Sequence, residues 1–446
     1  MEVMWYTEAT MRNISISRGN KNPAFTIVEL LIVVVVIAIL ASIVIVAYNG
    51  IANRSKESSL KSDLQNGVTQ LELYRVDEGV YPQDVAALKW SDDSSHSYSR
   101  TQNSFCLSVQ SLSAPSLAFY VRNGETIQEG ECSAMVSTVF YDESEPAVFT
   151  AIAEAPDGNF YISTRNGVVY RMTPEGDMTI FAGALEQYGL VNGQGTSARF
   201  RGMSDIAVDQ SGNIYIAEDN NHVIRKITSA GMVSTLAGSV EGYAGGVGTA
   251  ARFDTPRGVA VDSTGVVYVA DNGNYRIRKI ELSGNVVDVA GSGANGNTDG
   301  TGTVAQFGWL KGLDIDRTTN TLYIAEDGNH KIRKMTSTGV VTSVTQGGQS
   351  GFADGDSATA RFYVPSDVSF GNDGYLYVTD DWNNAVRKID GSGNVTTLAG
   401  HPSRYSFTDG AGDVAAFNEP AGIVKSSQGP IYVTDMYNWS IRKITQ

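Results

Sequence analysis

A tyrosine recurs inside a short apolar run six times between residues 161 and 432, and this repeat constrains the fold more than any other feature. The runs are FYIS (Tyr161), IYIA (Tyr215), VYVA (Tyr268), LYIA (Tyr323), LYVT (Tyr377) and IYVT (Tyr432), spaced 54, 53, 55, 54 and 55 residues apart. Ten residues after five of them stands an Arg-Lys pair: Arg225-Lys226, Arg278-Lys279, Arg333-Lys334, Arg387-Lys388 and Arg442-Lys443. The first repeat is degenerate and carries Tyr170-Arg171 instead. A fixed period of this size marks repeated supersecondary units. Each full repeat holds four strand candidates; in the third these are residues 258–262, 266–271, 275–280 and 286–291, separated by Ser-Thr-Gly, Asn-Gly-Asn and Ser-Gly-Asn turns. Four short antiparallel strands cannot bury both faces alone, but arranged about an axis they form propeller blades. A count of 47 glycines in 446 residues fits so turn-rich a fold.

The last repeat ends at Gln446 without a fourth strand. Residues 134–140, just before the first repeat, read AMVSTVF, and the tetrapeptide MVST is identical to the fourth-strand start at 232–235. The N-terminal strand is therefore expected to complete the last blade, giving six blades and no open edge. At each strand-two exit an acid is followed three residues later by Asn, then by a bulky residue. The pairs are Glu218/Asn221, Asp271/Asn274, Glu326/Asn329, Asp380/Asn383 and Asp435/Asn438. This pattern resembles the NHL repeat family, in five of six copies, over residues 135–446. His222 and His330 occupy one motif position, which reads as structural. In the linkers, Asp-Gly or a variant precedes a Phe by eight residues: Asn192/Phe200, Gly245/Phe253, Asp299/Phe307, Asp354/Phe362 and Asp409/Phe417. A tight turn and a Phe wedge between blades are expected there. Calcium at these turns is the weaker alternative, with one Asp per loop and none in two loops.

Residues 30–47 read LLIVVVVIAILASIVIVA, without a charge. The run is long enough to span a bilayer and longer than a secretory signal, so a retained membrane helix is expected. Glu29 opens it, within Pro23-Ala24-Phe25-Thr26-Ile27-Val28-Glu29, behind a leader bearing Arg12, Arg18 and Lys21. This resembles the class III signal of type IV pilins and pseudopilins. The resemblance implies that prepilin peptidase cuts between Ala24 and Phe25 and N-methylates Phe25. It also implies that Glu29 is the assembly residue. Ala24 stands where that family usually has Gly, and Met11 is an alternative start. The new α-amine of Phe25, with a reference pKa of about 7.7–8.0, would lie one turn from Glu29 or reach the Glu29 of a neighbour; two poorly solvated charges gain by pairing.

The helix is expected to run over 25–78, with Leu60, Leu64, Leu71 and Tyr74 on one face. Gly79 and Pro82 stop it, and Gly50 and Gly67 are its weak points. A small α+β pilin head would follow over 79–134, with strand-like runs at 104–110 and 116–122. Cys106 and Cys132, expected outside the cytoplasm, would form one disulfide. Its loop of about 26 residues gives ~3–4 kcal/mol in the chain-entropy model; two buried free thiols are the alternative.

The domain reading is thus a leader (1–24), a pilin helix (25–78), a head (79–134) and an all-β propeller (135–446). The chain carries 33 basic and 48 acidic residues, net −15. Residues 135–446 hold 34 acidic and 23 basic, net −11, which argues against a nucleic-acid partner. Two cysteines exclude a zinc finger, and His96, His222, His330 and His401 do not make a ligand set. Asp205, Asp314 and Asp367, near inner-strand starts, are the remaining candidate cluster for an enzyme. No metal, cofactor or G-x-S-x-G nucleophile is indicated.

The expected function is a filament subunit, first in the cytoplasmic membrane and then extracellular. It would display the propeller for adhesion or recognition of a surface ligand. Its partners are its own copies, prepilin peptidase, the pilus assembly machinery and the membrane before assembly. The alternatives are a membrane-anchored propeller enzyme, lyase- or lactonase-like, and a pseudopilin of a secretion system. The Gly-, Tyr- and Ser-rich insertions 183–192, 239–246 and 401–409 are the candidate contact loops.

Overall fold

In the computed structural model, which describes residues 56–76, 90, 94–100, 105–111, 118–122, 128–129, 134–141 and 147–446, each repeat becomes one four-stranded antiparallel blade. Its third example runs through Pro256–Val261, Val267–Asp271, Arg276–Ile280 and Asn285–Ala290, each strand paired to the next. The six innermost strands are Phe149–Glu154, Met203–Val208, Pro256–Val261, Leu310–Asp316, Pro365–Phe370 and Pro420–Lys425. Each packs against the next, and the last packs against the first, so six blades surround one axis. In the sixth blade, Met135–Tyr141 pairs antiparallel with Ser440–Thr445, with Val136 opposite Ile444. Its other edge meets Gly410–Ala411.

The alternation of a strand explains the Arg-Lys pair, because successive side chains point to opposite faces. All five arginines are fully or almost fully buried. Each guanidinium lies 5.0–5.4 Å over the ring of Phe200, Phe253, Phe307, Phe362 or Phe417. These phenylalanines are themselves buried between blades. On the opposite face, Lys226, Lys388 and Lys443 lie 5.4–5.9 Å from the rings of Tyr215, Tyr377 and Tyr432. The third-strand boundary differs from the sequence expectation. Tyr275 is left-handed (φ 51°) and closes a 3-10 turn, so the strand starts at Arg276.

The preceding region holds a helix over 56–76 and an antiparallel sheet in chain order: Ser94–Arg100, Phe105–Ser111, Ala118–Arg122 and Gln128–Glu129. Leu60, Leu64 and Leu71 are buried with Leu107, Val109 and Val121. Tyr74, expected on the same face, is instead 45% exposed. Gly67 is no weak point: a Cβ there would lie 2.7 Å from Leu107 Cδ2 and 3.0 Å from the Trp90 ring, so glycine lets the helix approach the sheet. Ala24, Phe25, Glu29 and the 30–47 run lie outside the described residues, as does Cys132 and hence any pairing with Cys106. Among the described residues, no helix is long and apolar enough to cross a membrane.

Candidate functional site

The recurrent polar motif is engaged in the framework. Each buried arginine is salt-bridged to the acid that ends strand two: Glu218 at 2.6 Å, Asp271 at 3.3 Å, Glu326 at 3.1 Å, Asp380 at 2.7 Å and Asp435 at 2.6 Å. The motif Asn bridges that acid to the linker; Asn383 donates to Asp380 at 2.8 Å and to the Gly351 carbonyl at 2.7 Å. Buried ion pairs tolerate desolvation only with such supporting hydrogen bonds. The residue after the Asn is left-handed in all five blades, and in three of them its side chain staples the next blade. His222 Nδ1 accepts from Thr255 N–H, His330 Nδ1 from Val364 N–H, and Asn384 Oδ1 from Glu419 N–H. Burial lowers the pKa of His330, against Asp327, which favours the neutral acceptor form.

The Asp-Gly turns are engaged likewise. Asp299, Asp354 and Asp409 contact Arg333, Arg387 and Arg442 at 2.6–2.8 Å. Their second role is to cap the outer strands at Ser343, Thr397 and Thr138. Both carboxylate oxygens of each thus have protein partners.

Around the axis, Asp205, Asp314 and Asp367 come from the inner strands of blades two, four and five. Each bridges blades: Asp205 accepts from Val259 N–H, Asp314 from Phe370 N–H and Asp367 from Ile423 N–H, at 2.7–3.0 Å. Gly312 makes the room, since a Cβ there would fall 2.0 Å from Asp367 Oδ1. Burial pushes Asp205 up to about 8 and Asp314 to about 6, against the backbone N–H bonds. Burial and the neighbouring Asp205 raise Asp367 well above the ordinary carboxylate range. Among the described residues, no group of three or more His, Cys, Asp or Glu is set to hold a metal ion.

Asp205 and Asp367 line both of two axial cavities. The smaller, about 440 Å³, includes Glu154, Arg317 and Lys425. The larger, about 1240 Å³, opens where strands one begin and strands two end. Its wall from blades four and five is aromatic: Trp309, His330, Tyr363 and Trp382. Tyr363 meets the rings of Trp382 at 5.0 Å and His330 at 5.5 Å, both edge-on. Its wall from blades one to three is basic, with Arg165, Arg201 and Arg257. Lys311 is held between Asp381 at 3.1 Å and Asp327 at 3.9 Å. Of the three insertions expected to supply contacts, only the first reaches this cavity, through Tyr188.

Two family models match. One, the prokaryotic N-terminal methylation motif, covers residues 19–45. The other, the NHL repeat, covers residues 253–280. The chain joins a prepilin-type methylation motif to an NHL-repeat propeller. Several known proteins are similar to this chain over part of its length. Protein SUPPRESSOR OF QUENCHING 1, chloroplastic, of Arabidopsis thaliana is 29% identical over 281 residues, or 59% of this chain and 26% of that protein. Teneurin-4 of Homo sapiens is 25% identical over 346 residues, or 66% of this chain and 12% of its own. NHL repeat-containing protein 2 of Homo sapiens is 27% identical, over 51% of this chain and 37% of its own. The chain therefore spans well under half the length of each of these relatives. Among solved structures, an auxiliary nutrient binding protein from Bacteroides thetaiotaomicron VPI-5482 superposes with a TM-score of 0.53 at 16% identity, covering 76% of this chain and 82% of that one. At that identity the likeness speaks for the fold alone.

Proposed function

We propose that the fusion is a type IV pilin-like filament subunit that carries its propeller outside the cell as a recognition head. The observation that carries this reading is the methylation motif at residues 19–45, which contains Ala24, Phe25 and Glu29. In it, prepilin peptidase cuts between Ala24 and Phe25, and Glu29 pairs with the new amine to set one helix against the next in the filament. The subunit waits in the cytoplasmic membrane before the assembly machinery takes it up. Residues 79–134 form the pilin head, with Cys106 and Cys132 joined as a disulfide, and 135–446 form the displayed ring. The pairing of Met135–Tyr141 with Ser440–Thr445 supports a ring closed by its N-terminal strand. A binding rather than catalytic head is supported by the framework role of the motif acids, asparagines and arginines, which leaves the open cavity at the mouth as the contact surface.

Mass spectrometry of the mature N-terminus, on protein sheared from the cell surface, tests this. The expected chain starts at N-methylated Phe25. A chain that retains Lys21 and Ala24 and occurs only in the membrane fraction overturns the filament reading and brings the anchored enzyme forward.

A further inference from the structure

We propose that the large axial cavity binds an acidic oligosaccharide, an inference that rests on reading the propeller as a displayed head. Three features converge on this ligand. First, Trp309 and Trp382 are each 53% exposed at the cavity rim on adjacent blades. Exposed indoles at the edge of a polar cavity are flat apolar platforms, suited to the C–H face of a pyranose. Second, the guanidiniums of Arg165, Arg201 and Arg257 line the opposite wall and enter no hydrogen bond or ion pair with a described residue. Every motif arginine is salt-bridged, so these three stand apart as forks for a carboxylate or sulfate. Third, Asp381 is 3% exposed, and its Oδ1 is buried without a hydrogen-bond partner. Its other oxygen is held by Lys311. A buried acceptor without a donor is costly, and a sugar hydroxyl supplies the donor.

A ligand must therefore offer hydroxyl donors, sparse negative charge and an apolar face together. Charge decides against nucleic acid. Asp219, Asp327, Asp381 and Glu419 alternate with the basic groups around the same mouth. A polyphosphate with a charge at every nucleotide meets these carboxylates, whereas an oligosaccharide presents hydroxyls to them. A cavity of about 1240 Å³ admits several sugar units.

The test is calorimetric titration of the full chain in detergent with tetragalacturonate, tetramannuronate and a heparin-derived tetrasaccharide. Maltotetraose and an oligothymidylate serve as comparisons. At least one acidic sugar is expected to bind, with affinity that weakens as salt is added. Trp309→Ala and Arg257→Gln should each weaken it about tenfold with an unchanged melting temperature. Arg201→Gln, at an exposed position, provides a second basic-wall variant that does not disturb packing. The proposal fails if no acidic sugar binds, if maltotetraose binds as tightly, if these variants bind like the parent, or if the oligothymidylate binds more tightly. Processing at Phe25 is read separately. Its absence removes the filament without touching sugar binding, and sugar failure on a methylated chain removes only this inference.

Discussion

Among single residues, the axial aspartates stand out because they bridge blades through backbone N–H groups without a cation in hydrogen-bond contact. Their ordinary value in an unfolded chain is about 3.9. Asp205 at about 8 and Asp314 at about 6 are both raised, as is Asp367. Between pH 4 and 8 the folded chain thus holds protons that the unfolded chain has released. Stability then falls as pH rises through this window. His330 works in the opposite sense, since its lowered value makes stability rise with pH towards about 6.5, but it is outweighed, because burial also raises Asp271 and Asp380 to about 6 and raises Glu218 and Asp435. The melting temperature is therefore expected to drop from pH 5 to pH 9. Asp205→Asn, which cannot ionise, should flatten the drop while lowering stability at pH 5 by about 1 kcal/mol, because an amide keeps only one of the two oxygens that take Val259 and Ile206 N–H. An unchanged pH slope in this variant would show that Asp205 is not a source of it.

Elements were legible in the sequence where they repeat. The Tyr strand, the Arg-Lys strand and the Phe wedge recur at fixed spacing, so their faces and turns follow from pattern. The Ser-rich strand Ser94–Arg100 was not legible, because it lacks apolar alternation. The cavity was not legible either, for the opposite reason: it is lined where repeats disagree. One inner-strand position carries Ser204, Arg257, Lys311, Ser366 and Ala421 in successive blades. Axis-facing positions that vary within a constant repeat were the signal to follow.

A second departure from the repeat explains itself structurally. Blade three has Gly245 where later linkers have Asp, and Asp288 on its outer strand contacts Arg278 Nε at 3.0 Å instead. Asp288 also accepts from Tyr243 and lies 3.4 Å from Arg276. Asp288→Thr should therefore destabilise the propeller by about 1–2 kcal/mol, and adding Gly245→Asp should restore part of it. Denaturant unfolding of the single and double variants measures this. A double variant no more stable than Asp288→Thr alone would show that the two acids are not interchangeable partners of the arginine.

At the level of the whole molecule, a ring differs from a linear repeat array in that its two ends stabilise each other. Val136 lies between two strands, opposite Ile444 on one side and Gly410 on the other, and is fully buried. Val233 has the same position in blade two, opposite Ile227 and Gly193. A proline at either site removes a backbone N–H from the middle of the sheet and costs about 1–3 kcal/mol. If Met135–Tyr141 latches the ring, Val136→Pro should lower the melting temperature as much as Val233→Pro, although Val136 is 308 residues from its partner Ile444. Losing the latch would also bare the edge of Ser440–Thr445, so Val136→Pro should aggregate more readily on heating. If the segment is only a tether docked on a self-sufficient ring, Val136→Pro should cost far less than Val233→Pro and leave the main transition in place. Comparable losses would instead mean that Met135–Tyr141 is held as firmly as an internal blade strand, so that the two ends of the ring stabilise it together.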